Sequence, residues 1–184
     1  MAHAAQLRAQ FKFVFALVVL FTAIEVVNMF TGRALNLLGN YPREVFGLKG
    51  ILFSHFLHGD VKHFASNIVT LAIFSFLLLQ YGMKRYIKVT LFLMLSIGVS
   101  VWLLARPAMH IGASGLIYGY LGFLILGGLI SGRIKLIIIA LVVAFFYGGL
   151  IFGVLPTRPF VSWESHLFGF IAGLVAAKLW AKPN

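Results

Sequence analysis

Apolar side chains come in long unbroken runs along this chain, and the polar residues gather in the gaps between them. A helix needs about 20 mostly apolar residues to cross the hydrocarbon core of a bilayer. Continuous runs of that kind predict helices, because a membrane barrel strand would alternate apolar and polar positions. The pattern predicts six spans, at residues 12–30, 61–81, 86–104, 115–130, 134–152 and 165–181. Ser131-Gly132-Arg133 alone separates the fourth from the fifth, which predicts a tight helical hairpin. The stretch 31–60 is different. It carries Leu35, Leu37, Leu38, Val45, Phe46, Leu48, Ile51, Leu52, Phe53, Phe56 and Leu57, too many apolar residues for a plain linker. It is expected to lie partly in the membrane interface as short amphipathic helices, with a turn at Asn40-Tyr41-Pro42.

The first run superficially fits a secretory signal, since Arg8 and Lys12 precede an apolar core. That core is long, contains Glu25 and lacks a following small-x-small cleavage site, so it reads as a retained anchor. Composition strengthens the membrane reading. Of 184 residues 61% are hydrophobic and 10% charged, whereas a soluble domain runs near 45–50% apolar and about 25% charged. A soluble enzyme and a disordered chain are both excluded, and the whole chain, 1–184, is expected to form one membrane domain. With no cysteine, disulfides, thiolate metal sites and cysteine nucleophiles are excluded as well.

The net charge of +11 would suggest nucleic acid in a soluble protein. Here the basic residues sit between spans and read as topology signals, with no nucleic-acid partner expected. An inside N-terminus puts Arg8, Lys12, Lys84, Arg85, Lys88, Arg133, Lys135, Lys178 and Lys182 on the inner side. Arg33, Arg43, Lys49, Lys62, Arg106 and Arg158 then fall on longer, sparser outer segments. Both termini are therefore expected in the cytoplasm.

Polar side chains inside spans are costly and are functional candidates by default. With that orientation the second, fourth and sixth spans all run inward, so their N-terminal ends share one depth near the outer face. Those ends carry His58, His63 and Asn67; Ser114; and Glu164, Ser165 and His166. The inner halves of the same spans are almost wholly apolar. His63 and Asn67 are four apart and share a helix face, as do Ser114 and Tyr118. His166 shares its face with Gly169 and Gly173, and Gly115 and Gly119 adjoin Ser114. Small residues four apart let helix backbones approach closely in lipid, which would bring Ser114 within reach of His166. A serine beside a histidine is the minimum for nucleophilic acyl transfer, the imidazole taking the hydroxyl proton and returning it to the leaving amine. Asn67, His63 and the backbone N–H groups at the start of the fourth span are candidate donors to the anionic intermediate. Gly112 and Gly115 would allow the tight turn into that span.

Bland roles compete with each of these. A lone serine in a span more often serves packing, Asn67 could bridge two helices, and Tyr118 could be an interfacial aromatic. His3 reads as incidental, and His55 and His110 as solvated or interfacial. Glu25 is expected to bond a neighbouring span. Glu164 lies two residues from His166, which points the two side chains apart on a helix. No carboxylate among Glu25, Glu44, Asp60 and Glu164 is well placed to complete a triad.

Three strings then carry a family signature. FLHGDVKHFASN, with His58, His63 and Asn67, resembles the second span of rhomboid intramembrane serine proteases. Gly112-Ala113-Ser114-Gly115, continuing to Tyr118 and Gly119, resembles their GxSG nucleophile motif, and the segment from Ser165 and His166 through Gly169 to Gly173 resembles their last helix. GxSG alone is weak, but three motifs in order at one depth are specific, and the resemblance covers residues 55–177. It implies an all-α, six-span, minimal bacterial-type rhomboid bundle with a long, partly membrane-embedded first outer loop. It implies an intramembrane serine endopeptidase with a Ser114–His166 dyad and an oxyanion site from Asn67, His63 and the Ser114 backbone. It further implies that Tyr118 packs on the histidine, that His58 organises the outer end of the site, and that Gly169 and Gly173 let the last helix approach the serine helix. The implied partners are the lipid bilayer and transmembrane protein substrates cut in or near their spans, with no cofactor and no metal. The implied location is a bacterial inner membrane with the site toward the outer face. One departure stands out: many members carry a Trp-Arg pair in the first loop, and here the stretch reads Phe46-Gly47-Leu48-Lys49-Gly50.

Two other activities and one inactive role compete with this reading. An inactive rhomboid-like protein that binds transmembrane clients would be expected to lack the serine or the histidine. A metal hydrolase would show HExxH, while His58 and His63 are five apart, about 140° round a helix. A transporter would show a polar path or an inverted repeat. The spans show neither, and the fifth span and the loop 152–164 are the candidate elements for admitting substrate.

Overall fold

A computed structural model describes residues 2–157 and 161–182; Arg158 lies outside them. The architecture is all-helical. Seven α-helices are described: α1 (Ala2–Phe30), α2 (Gly50–Phe53), α3 (Val61–Leu78), α4 (Met83–Leu104), α5 (Ser114–Ile130), α6 (Ile134–Tyr147) and α7 (Trp163–Trp180). Four of the apolar segments are long and apolar enough to cross a membrane: 4–30, 61–81, 83–104 and 134–154. α5 is a shorter apolar helix of 17 residues.

The sequence boundaries shift in instructive places. The first helix starts at Ala2, not Lys12. Its extra turns, AHAAQLRAQ, hold no Gly or Pro and are rich in strong helix formers, so the helix outruns the apolar stretch that marks the membrane. The 134–152 run is α-helical only to Tyr147 and then tightens into a 3₁₀ segment, Gly148–Val154, beginning at a glycine pair. The stretch 31–60 folds into short pieces, Ala34–Leu38, Val45–Gly47, α2 and Ser54–Phe56. It keeps Leu37, Val45, Phe46, Leu52 and Phe53 exposed.

α5 is the axis of the bundle. Every residue from Gly115 to Leu124 is buried, as expected for a helix that is apolar all round. α3, α4, α6 and α7 pack around it. The α5–α7 contact is the most intimate because glycines line it. A Cβ on Gly169 would strike the carbonyl of Gly115, and one on Gly173 the carbonyl of Gly119. Gly127 lies against Ala181 further along, so the two helices run parallel. α3 runs parallel to them too, with His63 beside Gly112 at one end and Tyr81 beside Phe123 and Gly127 at the other. One end of the bundle thus gathers the starts of α3, α5 and α7.

α1 is peripheral and packs on α3, with Gln10 donating to the Leu79 carbonyl at 3.1 Å and Phe11 stacked on Phe76. Glu25 does not bond a neighbouring span. Its partner is Arg33 just beyond its own helix, at 2.6 Å, because the chain turns back there with Arg33 in a left-handed conformation, φ 68°. The first loop is held against α4 without a Trp-Arg pair of its own. Arg43 donates to the Leu103 and Ala105 carbonyls at the end of α4, at 3.2 and 2.8 Å, and Trp102 of α4 donates to the Glu44 carbonyl at 3.0 Å. A cation there satisfies carbonyls that a helix end leaves open and suits the negative end of the dipole.

Candidate active site

Ser114 opens α5. The chain enters through Gly112, whose φ of +128° strains any side-chain-bearing residue, and Ala113 then sets the first turn. The Gly112 N–H donates to the Ser54 carbonyl at 2.9 Å, tying the entry turn to the first loop. The first N–H groups of α5 have no partner within the helix, so this end offers donors and a positive dipole end beside the serine.

His166 lies one turn into α7, at 7% exposure. Its Nε2 is 2.8 Å from Ser114 Oγ, and its Nδ1 is 2.9 Å from the Gly153 carbonyl oxygen. A carbonyl only accepts, so Nδ1 carries the proton and Nε2 presents its lone pair to the serine hydroxyl, which donates. That is the tautomer a general base requires. The Tyr118 ring lies flat on the imidazole, centroids 4.1 Å apart and planes within 5°. Its hydroxyl donates to the Leu150 carbonyl at 2.7 Å. Packing and one backbone acceptor therefore fix the imidazole.

His63 sits on the first turn of α3, whose N-cap Asp60 accepts the His63 N–H at 2.8 Å. Burial has little hold on Asp60. That bond from the His63 N–H holds its carboxyl below the usual range. His63 Nδ1 accepts a long bond, 3.4 Å, from the Gly59 N–H, which leaves the proton on Nε2. A Cβ built on Gly112 would lie 2.9 Å from that Nε2 and 3.6 Å from Ser114 Oγ, so the space beside Gly112 is shared by both side chains. Asn67, one turn further along α3, is buried, with no partner for Nδ2 among the described residues. His63 Nε2–H thus stands beside the serine across Gly112, and Asn67 adds an uncommitted donor on the same face of α3.

His58 is fully buried, and neither ring nitrogen has a partner among the described residues. Its ring meets those of His63 and Phe64 edge-on, at 5.1 and 5.4 Å. Burial first, then His63 and Arg33, push its pKa down to about 3. Its carbonyl accepts from Arg33 and Asn36, each at 3.2 Å, and from Asn28 at 3.4 Å. That one oxygen joins the end of α1, the first loop and the approach to α3.

His55 and His110 are not solvated. Both are buried, at 2% and 3% exposure. His55 Nε2 donates to the Met94 carbonyl at 3.1 Å. His110 donates from Nε2 to the Arg106 carbonyl at 3.0 Å and accepts at Nδ1 from the Ser162 hydroxyl at 2.6 Å, while its backbone bridges to Asn40. The loops around them fold inward against α4 and α7, which a reading of loops as surface misses. Burial lowers the pKa of both, more than their carbonyl bonds raise it. Glu164 bonds Arg106, at 3.5 Å to Nε and 3.4 Å to its N–H, pinning the start of α7.

The sequence reading missed the Gly153 and Leu150 carbonyls, which orient the histidine and Tyr118. A backbone oxygen leaves no residue signature. The closest signal was Gly153 itself, where a Cβ would collide with the Tyr118 hydroxyl.

Comparison with known proteins agrees with this architecture. Residues 43–183 match the family model described as the Rhomboid domain. An uncharacterized protein of Mycobacterium tuberculosis and one of Mycobacterium bovis are each 36% identical over 176 residues, covering 91% of this chain and 73% of theirs. An uncharacterized protein of Mycobacterium leprae is 36% identical over 170 residues, covering 88% of this chain and 67% of its own. α1 precedes the residues that the family model matches.

Proposed function

The chain belongs to the rhomboid family, and we propose that it is an intramembrane serine endopeptidase with Ser114 as nucleophile and His166 as general base. The family is in general one of serine intramembrane proteases, and the long apolar helices mark an integral membrane protein. The observation that carries the finer reading is the 2.8 Å pair between His166 Nε2 and Ser114 Oγ, with Nδ1 committed to the Gly153 carbonyl.

The reaction follows from that pair. Nε2 takes the hydroxyl proton as Oγ attacks the scissile carbonyl carbon. The developing oxyanion is met by Asn67 Nδ2, His63 Nε2–H and the backbone N–H at Ser114. The intermediate collapses as Nε2–H hands its proton to the leaving amine, leaving an acyl-serine. Water then gives one proton to Nε2 and attacks the acyl carbon, and that proton returns to Oγ as the new carboxylic acid departs and ionises in solvent. No carboxylate is needed, since the Gly153 carbonyl fixes the tautomer. The substrates are transmembrane proteins cut where their helix unwinds enough to expose a carbonyl. α1, α3, α4, α5, α6 and α7 are the six spans, both termini are cytoplasmic, and the site lies toward the outer face of a bacterial inner membrane.

Purified protein in proteoliposomes with a tagged single-span substrate tests this. The wild type is expected to cleave, and Ser114→Ala and His166→Ala to lose cleavage by at least about 10³-fold while keeping their melting temperature. A fluorophosphonate is expected to label Ser114 only when His166 is present. Undiminished cleavage by Ser114→Ala would sink the proposal. A folded wild type that is neither labelled nor active on any substrate would point instead to a client-binding rhomboid.

A further inference from the structure

α1 stands off from α4 over the middle of its length. Near one end Phe13 meets Tyr86 edge-on at 5.1 Å, and higher up Phe21 meets Phe56 of the first loop at 5.1 Å. Between these contacts lies a cavity of about 270 Å³ bounded by Leu17 and Leu20 of α1, Ile87, Leu91 and Met94 of α4, and Leu116 of α5. Its wall is almost wholly apolar. The Thr90 and Tyr120 hydroxyls on that wall bond each other at 2.8 Å, and Thr90 also donates to the Tyr86 carbonyl at 2.7 Å. Nothing there asks for water, and apolar cavities of this kind stay dry. Left empty, the lining would lose dispersion contacts on one side.

The rim residues Leu20, Ile87 and Leu91 are each about half exposed, at 49%, 47% and 55%. They belong to two helices that are long and apolar enough to cross the membrane, so the mouth opens sideways into hydrocarbon. A cavity of about 150 Å³ takes one benzene. By that ratio this one takes on the order of ten carbons. Lys84 is exposed and lies on the same stripe of α4 as Ile87 and Leu91, at spacings of three and seven, one turn toward the start of the helix.

We propose that the groove between α1 and α4 binds one acyl chain of an anionic phospholipid, whose phosphate sits against Lys84. The chain enters past Leu91 and Leu20 and fills the space that α1 leaves open. α1 is then held to the bundle by lipid along the face where protein contacts are sparse.

The test requires no cleavage activity. Native mass spectrometry of protein purified in mild nonionic detergent is expected to show one retained phospholipid. Added phosphatidylglycerol is expected to raise the melting temperature more than phosphatidylcholine with the same chains. Leu17→Trp, or Met94→Phe from the opposite wall, fills the cavity and should drop retained lipid to background without lowering the lipid-free melting temperature. Lys84→Glu should keep a bound chain and lose at least fivefold preference for phosphatidylglycerol. On the wild type itself, a phospholipid with a diazirine in its acyl chain should crosslink to the segments around Leu20 and Leu91 in preference to the exposed Ile138 face of α6. The proposal is overturned by a wild type that holds no lipid and gains no stability from phosphatidylglycerol. Crosslinks spread evenly over the lipid-facing helices, or folded cavity-filling variants that retain lipid as the wild type does, would equally overturn it.

Discussion

Gly169→Ala should separate catalytic geometry from fold. In α7 this glycine lies over the Gly115–Leu116 peptide, one residue past Ser114. Its added methyl would strike the Gly115 carbonyl oxygen and come within 3.1 Å of the Gly115 carbonyl carbon and 3.3 Å of the Gly119 nitrogen. Ordinary contact for such a carbon starts at 3.4 Å, and backbone on both sides cannot swing away as a side chain would. α7 must retreat. A retreat of on the order of 1 Å stretches the 2.8 Å Oγ···Nε2 bond past hydrogen-bonding range, and a misplacement of that size costs about 10²-fold in rate. The overpacking costs about 1–3 kcal/mol, partly offset by about 1 kcal/mol of better helix propensity. The net cost is about 0–2 kcal/mol, so the melting temperature should fall by no more than about 8 °C for a chain of this length. Fluorophosphonate labelling of Ser114 and cleavage in proteoliposomes are the readouts, with thermal melting alongside. Gly149→Ala is the control, because a Cβ there meets nothing within 4 Å. Wild-type labelling by folded Gly169→Ala would refute the claim that glycine contact sets the dyad distance.

Three further outcomes follow from the same geometry. Asn67→Ala removes an uncommitted buried donor and should lower kcat by about 10²–10³-fold with little change in KM, measured by steady-state cleavage; an equal loss confined to KM would argue for a substrate-binding role instead. His58 is held neutral in the fold with a pKa of about 3, below its unfolded value, so the unfolded chain binds the extra proton between about pH 6.5 and 3. Stability is then present at neutral pH and lost as pH falls through that window, by about 1.4 kcal/mol per unit from His58 alone. His55 and His110 shift in the same direction and steepen the loss. Melting curves from pH 7.5 to 5 should show it, with a shallower slope in His58→Leu. Arg43→Ala loses two charge-assisted bonds to the end of α4 and should cost about 1–3 kcal/mol. It should also speed tryptic cleavage after Lys49, which is already exposed, by loosening the loop around it, while an unchanged cleavage rate would remove Arg43 as the loop's anchor.

Hydrophobic pattern alone told that this chain is a membrane helix bundle, because long apolar runs have no other stable solution in lipid. Spacing alone told which residues share a face, since helical period is a local property. His63 with Asn67, Ser114 with Tyr118, and His166 with Gly169 and Gly173 were all legible in that way. Local period could not say how far inward a loop folds. His55 and His110 read as loop histidines and prove buried, and Glu25 found its partner in a turn of its own chain. The orienting carbonyls of Gly153 and Leu150 and the anchoring of the first loop by Arg43 and Trp102 were likewise out of reach, because backbone acceptors and contacts between distant segments carry no sequence mark. The sequence determined the chemistry available at one end of the bundle. Only the tertiary structure, by pressing α7 onto the glycines of α5, decided that one serine and one histidine stand at bonding distance there.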